Sequence, residues 1–476
     1  MSADISSTKS TATNHGSLSS PWAVALAAIV GAEFLLQLDG TIANVALPTM
    51  RQDLRLDVPT ASWVLNGFFL AFGGLLLAAG RLGDVLGHRR LFLIGIGLVT
   101  LASLVAGLAP NFPVLLVGRV LQGAGAALAG PAGLALLAIL FDGERQQRAF
   151  GFYSTVTALG ASAGLILGAL LTSTGSWRWS LLINVPIGLA IIGLALRAVG
   201  TGRGTTADRS LGIPSAVLVT ATLTAAVYGL VNAADHGWAS SWTIIPLALV
   251  LLGTLLAVDS RAAEPMLPGR VFANRARLGG FVNLLLLASV LTGFLFYTSQ
   301  YLHSGLGLDA LHTGLALLPF GLALLAATQL LTKYIARVSL PIRGVIGMFL
   351  VVVALVWLAR LGPGSTYFAD VFGQIIILGV GVGIAVTPFN MIVLTTSDPA
   401  DTGITAGLLQ ASLTIGGSLG LAMLLLPFAS GIGAVFTWGA IIAGASLILS
   451  LLFWFGPGAR KPAAGVATTD AAADAQ

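Results

Sequence analysis

A chain of 476 residues would ordinarily fold as two or three soluble domains, but 56% hydrophobic residues, 9% charged residues and a mean hydropathy of +0.95 exclude a soluble globule. A net charge of +5 would suit nucleic acid, yet the basic residues lie in short gaps between apolar runs, where they set membrane topology, so no nucleic-acid partner is expected. With no cysteine there is neither a disulfide nor a thiolate metal site.

In chain order, residues 1–20 read as a Ser/Thr-rich disordered cytoplasmic tail, without the basic and apolar regions of a cleaved signal peptide. The run 21–48 is long enough to cross a bilayer, which takes about 20 apolar residues. It nevertheless carries Glu33, Gln37, Asp39, Thr41 and Asn44. Further spans are expected at 60–79, 91–108, 112–140, 149–171 and 179–197. The polar segment TGRGTTADRS follows, then two spans at 211–231 and 242–258, and a basic stretch 261–277. Six more complete the chain: 278–302, 313–331, 343–361, 368–394, 402–428 and 432–455.

The expected architecture is therefore all-α with fourteen transmembrane helices in a 6+2+6 order: an N-terminal half 21–198, a linker with two extra helices 199–260, and a C-terminal half 261–456. A polar, disordered cytoplasmic tail spans 457–476. Even parity puts both termini on one side. If that side is the cytoplasm, eighteen of the 23 basic residues are inside, Arg51, Arg55, Arg178 and Arg360 are outside, and Arg119 alone lies within a span. That is a strong positive-inside bias. The two extra spans carry no deep charge and read as a peripheral pair.

Of the 18 acidic residues, sixteen fall in tails, loops or span ends, Asp84, Asp259 and Asp398 among them; Glu33 and Asp39 remain. A charge at bilayer depth costs about 2.5 to 3.5 kcal/mol on insertion scales, so the default reading is a pathway or proton relay. The alternative is a structural pair that only holds the bundle together. Six residues apart on a helix, the two differ by about 9 Å in depth and point about 120° apart. They are expected to face one cavity from different heights. A carboxyl group that alternates between wet and dry surroundings can bind and release a proton. Arg119 is expensive unless paired, and Glu33 and Asp39 are the deep acids available to it.

Several motifs together resemble a known family. Residues 38–48, LDGTIANVALP, resemble the signature of the fourteen-span drug:proton antiporters of the major facilitator superfamily. Residues 80–90, GRLGDVLGHRR, are similar to the superfamily's loop signature between spans two and three, with Val85 and His88 where basic residues are common. Residues 118–127, GRVLQGAGAA, resemble the family's span-four motif. Gly151, Gly160, Gly164 and Gly168 keep the antiporter glycine spacing, with Leu165 in the usual proline position and Ala169 departing from glycine. Trp177-Arg178-Trp179 and Ile183-Asn184-Val185-Pro186 also fit the branch.

The resemblance implies proton coupling through Asp39, Glu33 and Arg119. It also implies a conformational latch built from Gly80, Gly83, Asp84, Gly87, Arg89 and Arg90, whose bland alternative is a topology anchor. The glycines of span five are implied to form a flexing interface, or else only tight packing. Gln37, Asn66, Phe69 and Gln122 are candidates for a central substrate cavity. So are Asn283, Tyr297, Asn390 and Gln410, each alternatively an interhelical contact.

The expected function is proton-coupled efflux of lipophilic, cationic small molecules by rocking of the two halves about a midplane site. Alternatives are export of a neutral or lipid-like metabolite, or a transporter-derived sensor. The expected partners are that substrate, protons and the lipid bilayer, with the chain acting as a monomer in the plasma membrane. No cofactor or metal is implied. No enzyme is expected, because His15, His88, His236, His303 and His312 fall in tails or loops without a nucleophile beside them.

Overall fold

The computed structural model describes residues 21–173, 176–198, 213–262, 265, 267–331, 334–335, 337–362, 364–398 and 402–456. Both expected tails and the polar segment after residue 198 lie outside these. Among the described residues, 14 helices are long and apolar enough to cross a membrane. The first six are α1 (Pro21–Asp53), α2 (Val58–Leu86), α3 (His88–Gly107), α4 (Phe112–Leu140), α5 (Gly143–Ser173) and α6 (Arg178–Ala198). Then come α7 (Ile213–His236) and α8 (Ile244–Arg261). The last six are α9 (Arg275–Gly305), α10 (Ala310–Leu330), α11 (Leu340–Leu358), α12 (Phe368–Thr395), α13 (Thr402–Leu425) and α14 (Ile432–Phe455). In lipid, a helix satisfies its own backbone polar groups, so long apolar runs become helices.

Local chemistry fixes the ends. Asp57 accepts from Thr60 N at 2.8 Å and Asn111 from Val114 N at 3.2 Å, each just before a proline in the first turn. Ser339 and Pro341 start α11 at Leu340, three residues ahead of the expected boundary, and the helix ends at Leu358 rather than 361. In α6 the helix is interrupted at Ile183. Pro186, three residues later, has no N–H to return to the carbonyl of Leu182.

The expected loop of residues 80–90 is a correction. α2 stays helical to Leu86 and α3 begins at His88, so Gly87 alone breaks the path, with φ 87° and its N–H donating to Gly83 O at 2.9 Å. Glycine spacing suggested a loop, but Gly80 and Gly83 lie within α2 and do not interrupt it. At that φ a side chain is strained by about 1–3 kcal/mol. Gly87→Ala should therefore lower thermal stability by that amount in unfolding of the purified protein, whereas Gly80→Ala, with open space around it, should not.

Both six-helix groups use one packing plan. α1 packs on α5 and α6 as α9 packs on α13 and α14, while α3 and α4 pair as α11 and α12 do. The two groups are thus related as a parallel repeat, about an axis along the membrane normal. The groups meet through α2 with α13 and α5 with α10, and more lightly through α1 with α9.

The extra pair is only half peripheral. α8 packs mainly on α7 and turns Leu247, Leu249 and Val250 outward, whereas α7 packs on α2 and α13 together, astride the seam. Gly74 makes this possible: a Cβ there would lie 3.1 Å from Thr220 Cα, so α2 and α7 touch backbone to backbone.

The buried apolar side chains show how the halves join. The Arg51-side ends of α1 and α2, from Ala43 to Met50 and Ala61 to Leu70, share one cluster with the C-terminal group. The opposite ends form a second cluster confined to the N-terminal group, from Ala25 to Leu35, Leu91 to Val99 and Ala126 to Phe141. On the positive-inside orientation the two groups thus share their apolar core at the outer face, while toward the inner face they keep narrower contacts such as Leu77 against Gly407. Polar ties agree: Arg51 Nη1 donates to Gln300 Oε1 at 2.8 Å, Gln52 Nε2 meets His303 Nε2 at 2.8 Å, and Ser299 Oγ donates to Asn44 O at 3.3 Å.

Candidate functional site

Asp39 lies at the centre of the N-terminal group, 1% exposed, and its partners come from two neighbouring helices. Arg119 of α4, fully buried, donates Nη1 to Asp39 Oδ2 at 2.7 Å. Asn184 of α6 donates to Oδ1 at 2.6 Å and Gln122 of α4 to the same oxygen at 3.1 Å. Gln122 also donates to Ser103 of α3 at 2.7 Å and accepts from Arg119 Nη1 at 2.9 Å. Arg119 Nε donates to Val64 O of α2 at 2.9 Å, and its guanidinium carbon sits 4.7 Å from the centre of the Phe68 ring. Five helices therefore meet on one ion pair. Charge-assisted hydrogen bonds in such a dry place are strong, and losing one partner is expensive.

Glu33 turns the other way. Its Oε2 accepts from Tyr153 OH at 2.5 Å, and its Oε1 accepts from Thr157 at 3.0 Å and from Gln37 at 2.8 Å. Tyr153 and Thr157 are on α5, so Glu33 joins α1 to α5. Unlike Asp39, it accepts only from neutral donors in these three bonds. The two carboxylates turn to different neighbours: the six-residue offset sends Asp39 toward α4 and α6 and Glu33 toward α5, with no shared partner among the described residues.

The span-five glycines divide. Gly160 and Gly168 fit against α1, and a Cβ on Gly164 would strike the Thr41 hydroxyl and sit 2.9 Å from Leu38 O, whereas Gly151 has nothing within 4 Å. Across α5, Leu165 fills the place of the family's proline and its carbonyl lies 3.0 Å from a Cβ on Gly314 of α10. α5 is thus clasped between α1 and the other half.

Of the expected latch, Gly83 packs on His88, Arg89 reaches Leu196 O only at 3.5 Å, and Arg90 is exposed. The side chain of Asp84 lies outside the described residues. Arg81 of the same motif donates to Pro265 O at 2.8 Å, across to the segment that leads into α9.

Several cavity candidates are interhelical contacts instead. Asn283 accepts from Ser446 and Ser450 of α14 at 2.5 and 2.8 Å, and Tyr297 donates to Leu421 O of α13 at 3.0 Å. Asn66 accepts from Ser418 at 3.0 Å across the seam, and Gln122 belongs to the Asp39 cluster. A polar side chain in lipid gains most by reaching the adjacent helix. Gln37, Phe69, Asn390 and Gln410 are only half-buried. His88, His236, His303 and His312 lie in terminal helical turns rather than loops; His15 is outside the described residues.

Sequence reasoning missed Ser103, Tyr153 and Thr157, and placed Asn184 only in a motif. A lone hydroxyl in an apolar span carries no signal of which helix it faces.

Two six-helix groups around a seam, with a buried ion pair in one of them, define a polytopic transporter architecture. The sequence profile of the Major Facilitator Superfamily matches residues 29–421, and the chain belongs to that superfamily as a multi-pass membrane protein. A cephamycin export protein of Amycolatopsis lactamdurans, CmcT, is 35% identical over 425 residues, 88% of this chain and 87% of the relative. The puromycin resistance protein pur8 of Streptomyces alboniger is 35% identical over 409 residues, 84% of this chain and 80% of the relative. In fold, the chain is similar to the human organic anion transporter MFSD10, with TM-score 0.61 and 15% identity over 90% of this chain and 99% of that one. A POT family transporter gives TM-score 0.66 at 16% identity, over 90% and 94% of the two chains.

Proposed function

We propose that the protein is a proton-coupled antiporter that exports lipophilic, cationic small molecules of the antibiotic type by alternating access. The observation that carries this reading is the Asp39–Arg119 pair: a carboxylate of α1 and a guanidinium of α4 buried together inside membrane spans, 2.7 Å apart, bonded directly to α2 and α6 and, through Gln122, to α3. A static prop in lipid is served by neutral amides and hydroxyls; an ionisable pair adds a group that can titrate. In the state with the outer face fused, Asp39 is locked and its charge is cancelled. Proton exchange then requires the rocking motion to part Asp39 from Arg119. Glu33 supplies an acidic side chain with neutral donors around it, a match for a cation, and Tyr153 and Thr157 hold it on the α1–α5 contact. The export and resistance functions in the names of the relatives support antibiotic-type substrates, and the preference for cations rests on the acidic Glu33.

The test is proton release on addition of a lipophilic cation to purified protein in weakly buffered detergent. Wild type should release protons. Glu33→Gln should reduce release several-fold and narrow the range of cations that elicit it, while neutral substrates are less affected. Unchanged release and cation range in Glu33→Gln would remove Glu33 from the reading.

A further inference from the structure

The first turns of α9 and α11 hold two arginines that the coupling reading leaves unused. Arg277 and Arg343 are each only 5% exposed. Arg277 Nε and Nη1 and Arg343 Nε are closed off from solvent without a hydrogen-bond partner, and no ion pair serves either side chain among the described residues. Guanidinium donors closed off without an acceptor are costly, so they mark a place where an anion belongs. The backbone is not the unmet donor: Asn274 already accepts from Ala276 N at 2.9 Å and Arg277 N at 3.1 Å.

The two cations flank one end of the bundle. Phe389 of α12 lies between their helices: a Cβ on Gly280 would meet its carbonyl at 3.3 Å, and one on Gly344 would press into its ring. Arg277 is three residues from Gly280, on the same helical face, and Arg343 immediately precedes Gly344. Phe389 stacks with Trp454 of α14 at 5.4 Å, so the surroundings are aromatic. On the positive-inside orientation this end is cytoplasmic, where anionic headgroups and phosphate are found.

We propose that the inner ends of α9 and α11, at Arg277 and Arg343 on either side of Phe389, bind phosphate-type oxyanions, supplied by anionic phospholipid headgroups or by free phosphate. Guanidinium groups match phosphate oxygens with paired N–H donors and, being weakly hydrated, tolerate the dry setting.

Thermal unfolding of the purified full chain in neutral detergent, titrated with phosphatidylglycerol, phosphatidylcholine or inorganic phosphate, tests this independently of transport. Phosphatidylglycerol should raise the Tm of wild type by about 2–4 °C, phosphatidylcholine should not, and Arg277→Gln with Arg343→Gln should abolish the rise. The exposed outer-side Arg360→Gln should keep it. A rise with inorganic phosphate alone also supports the site and names free phosphate as the source. Without added anion the Gln variants should be at least as stable as wild type, since they remove uncompensated charge. Equal phosphatidylglycerol shifts in wild type and variants, no shift with either anion, or variants that are less stable without anion would each overturn the proposal.

Discussion

Asp39→Asn is expected to abolish substrate-driven proton release and to lower unfolding stability by about 3–5 kcal/mol, the cost of orphaning a buried charge. Asparagine keeps the shape and can still accept from Asn184 and Gln122 through one oxygen. Its other terminus becomes an N–H group facing Arg119 Nη1, where an acceptor stood at 2.7 Å. Arg119 would be left fully buried with Val64 O and Gln122 as its acceptors. Because instability alone would also stop transport, the double variant Asp39→Asn, Arg119→Gln separates the two effects. It removes both charges and should recover most of the lost stability, yet release no protons. Calorimetry and the proton-release assay read these apart. Proton release at the wild-type level in the stable double variant would show that the pair is a prop and not a coupler.

The second large effect is expected at Gly164. Adding even one carbon there pushes on the Thr41 hydroxyl and on the Leu38 carbonyl at 2.9 Å. The hydroxyl can rotate away, but the carbonyl is backbone, so α1 and α5 must separate. Overpacking of this kind costs about 1–3 kcal/mol. The larger consequence is positional, because α1 carries both deep carboxylates and α5 holds the partners of Glu33. Gly164→Val should therefore reduce efflux of a fluorescent lipophilic cation from cells at least tenfold at equal protein level. Gly151→Ala should leave it unchanged. Equal efflux in Gly164→Val and wild type would mean that α1 and α5 do not need their close crossing.

The fourteen spans were legible because apolar runs of membrane length admit one backbone solution, and the basic residues between them announce the side. The partnership of Asp39 and Arg119 was legible in outline, since a deep arginine had two acids to choose from. Which of the two was not, because helix phase gives the direction of a side chain but not the neighbour it meets. Asn184, Ser103 and Tyr153 were hidden for the same reason. Asn283 and Tyr297 looked like cavity residues because a polar group on a central helix has the same sequence appearance whether it faces substrate or an adjoining backbone. The position of α7 could not be read either: its composition is that of any lipid-facing span, and only Gly74 on α2, unremarkable by itself, allows the close fit.

α7 rests on α2 of one half and α13 of the other, the two halves that the proposed alternating access would tilt against each other. A strut touching both banks of a moving joint cannot stay fixed to both. The backbone-close fit with α2 makes that side the anchorage, which leaves the α13 side to glide. Under that proposal the additional hairpin would travel with the N-terminal half, and the α7–α13 surface would be the one that slides.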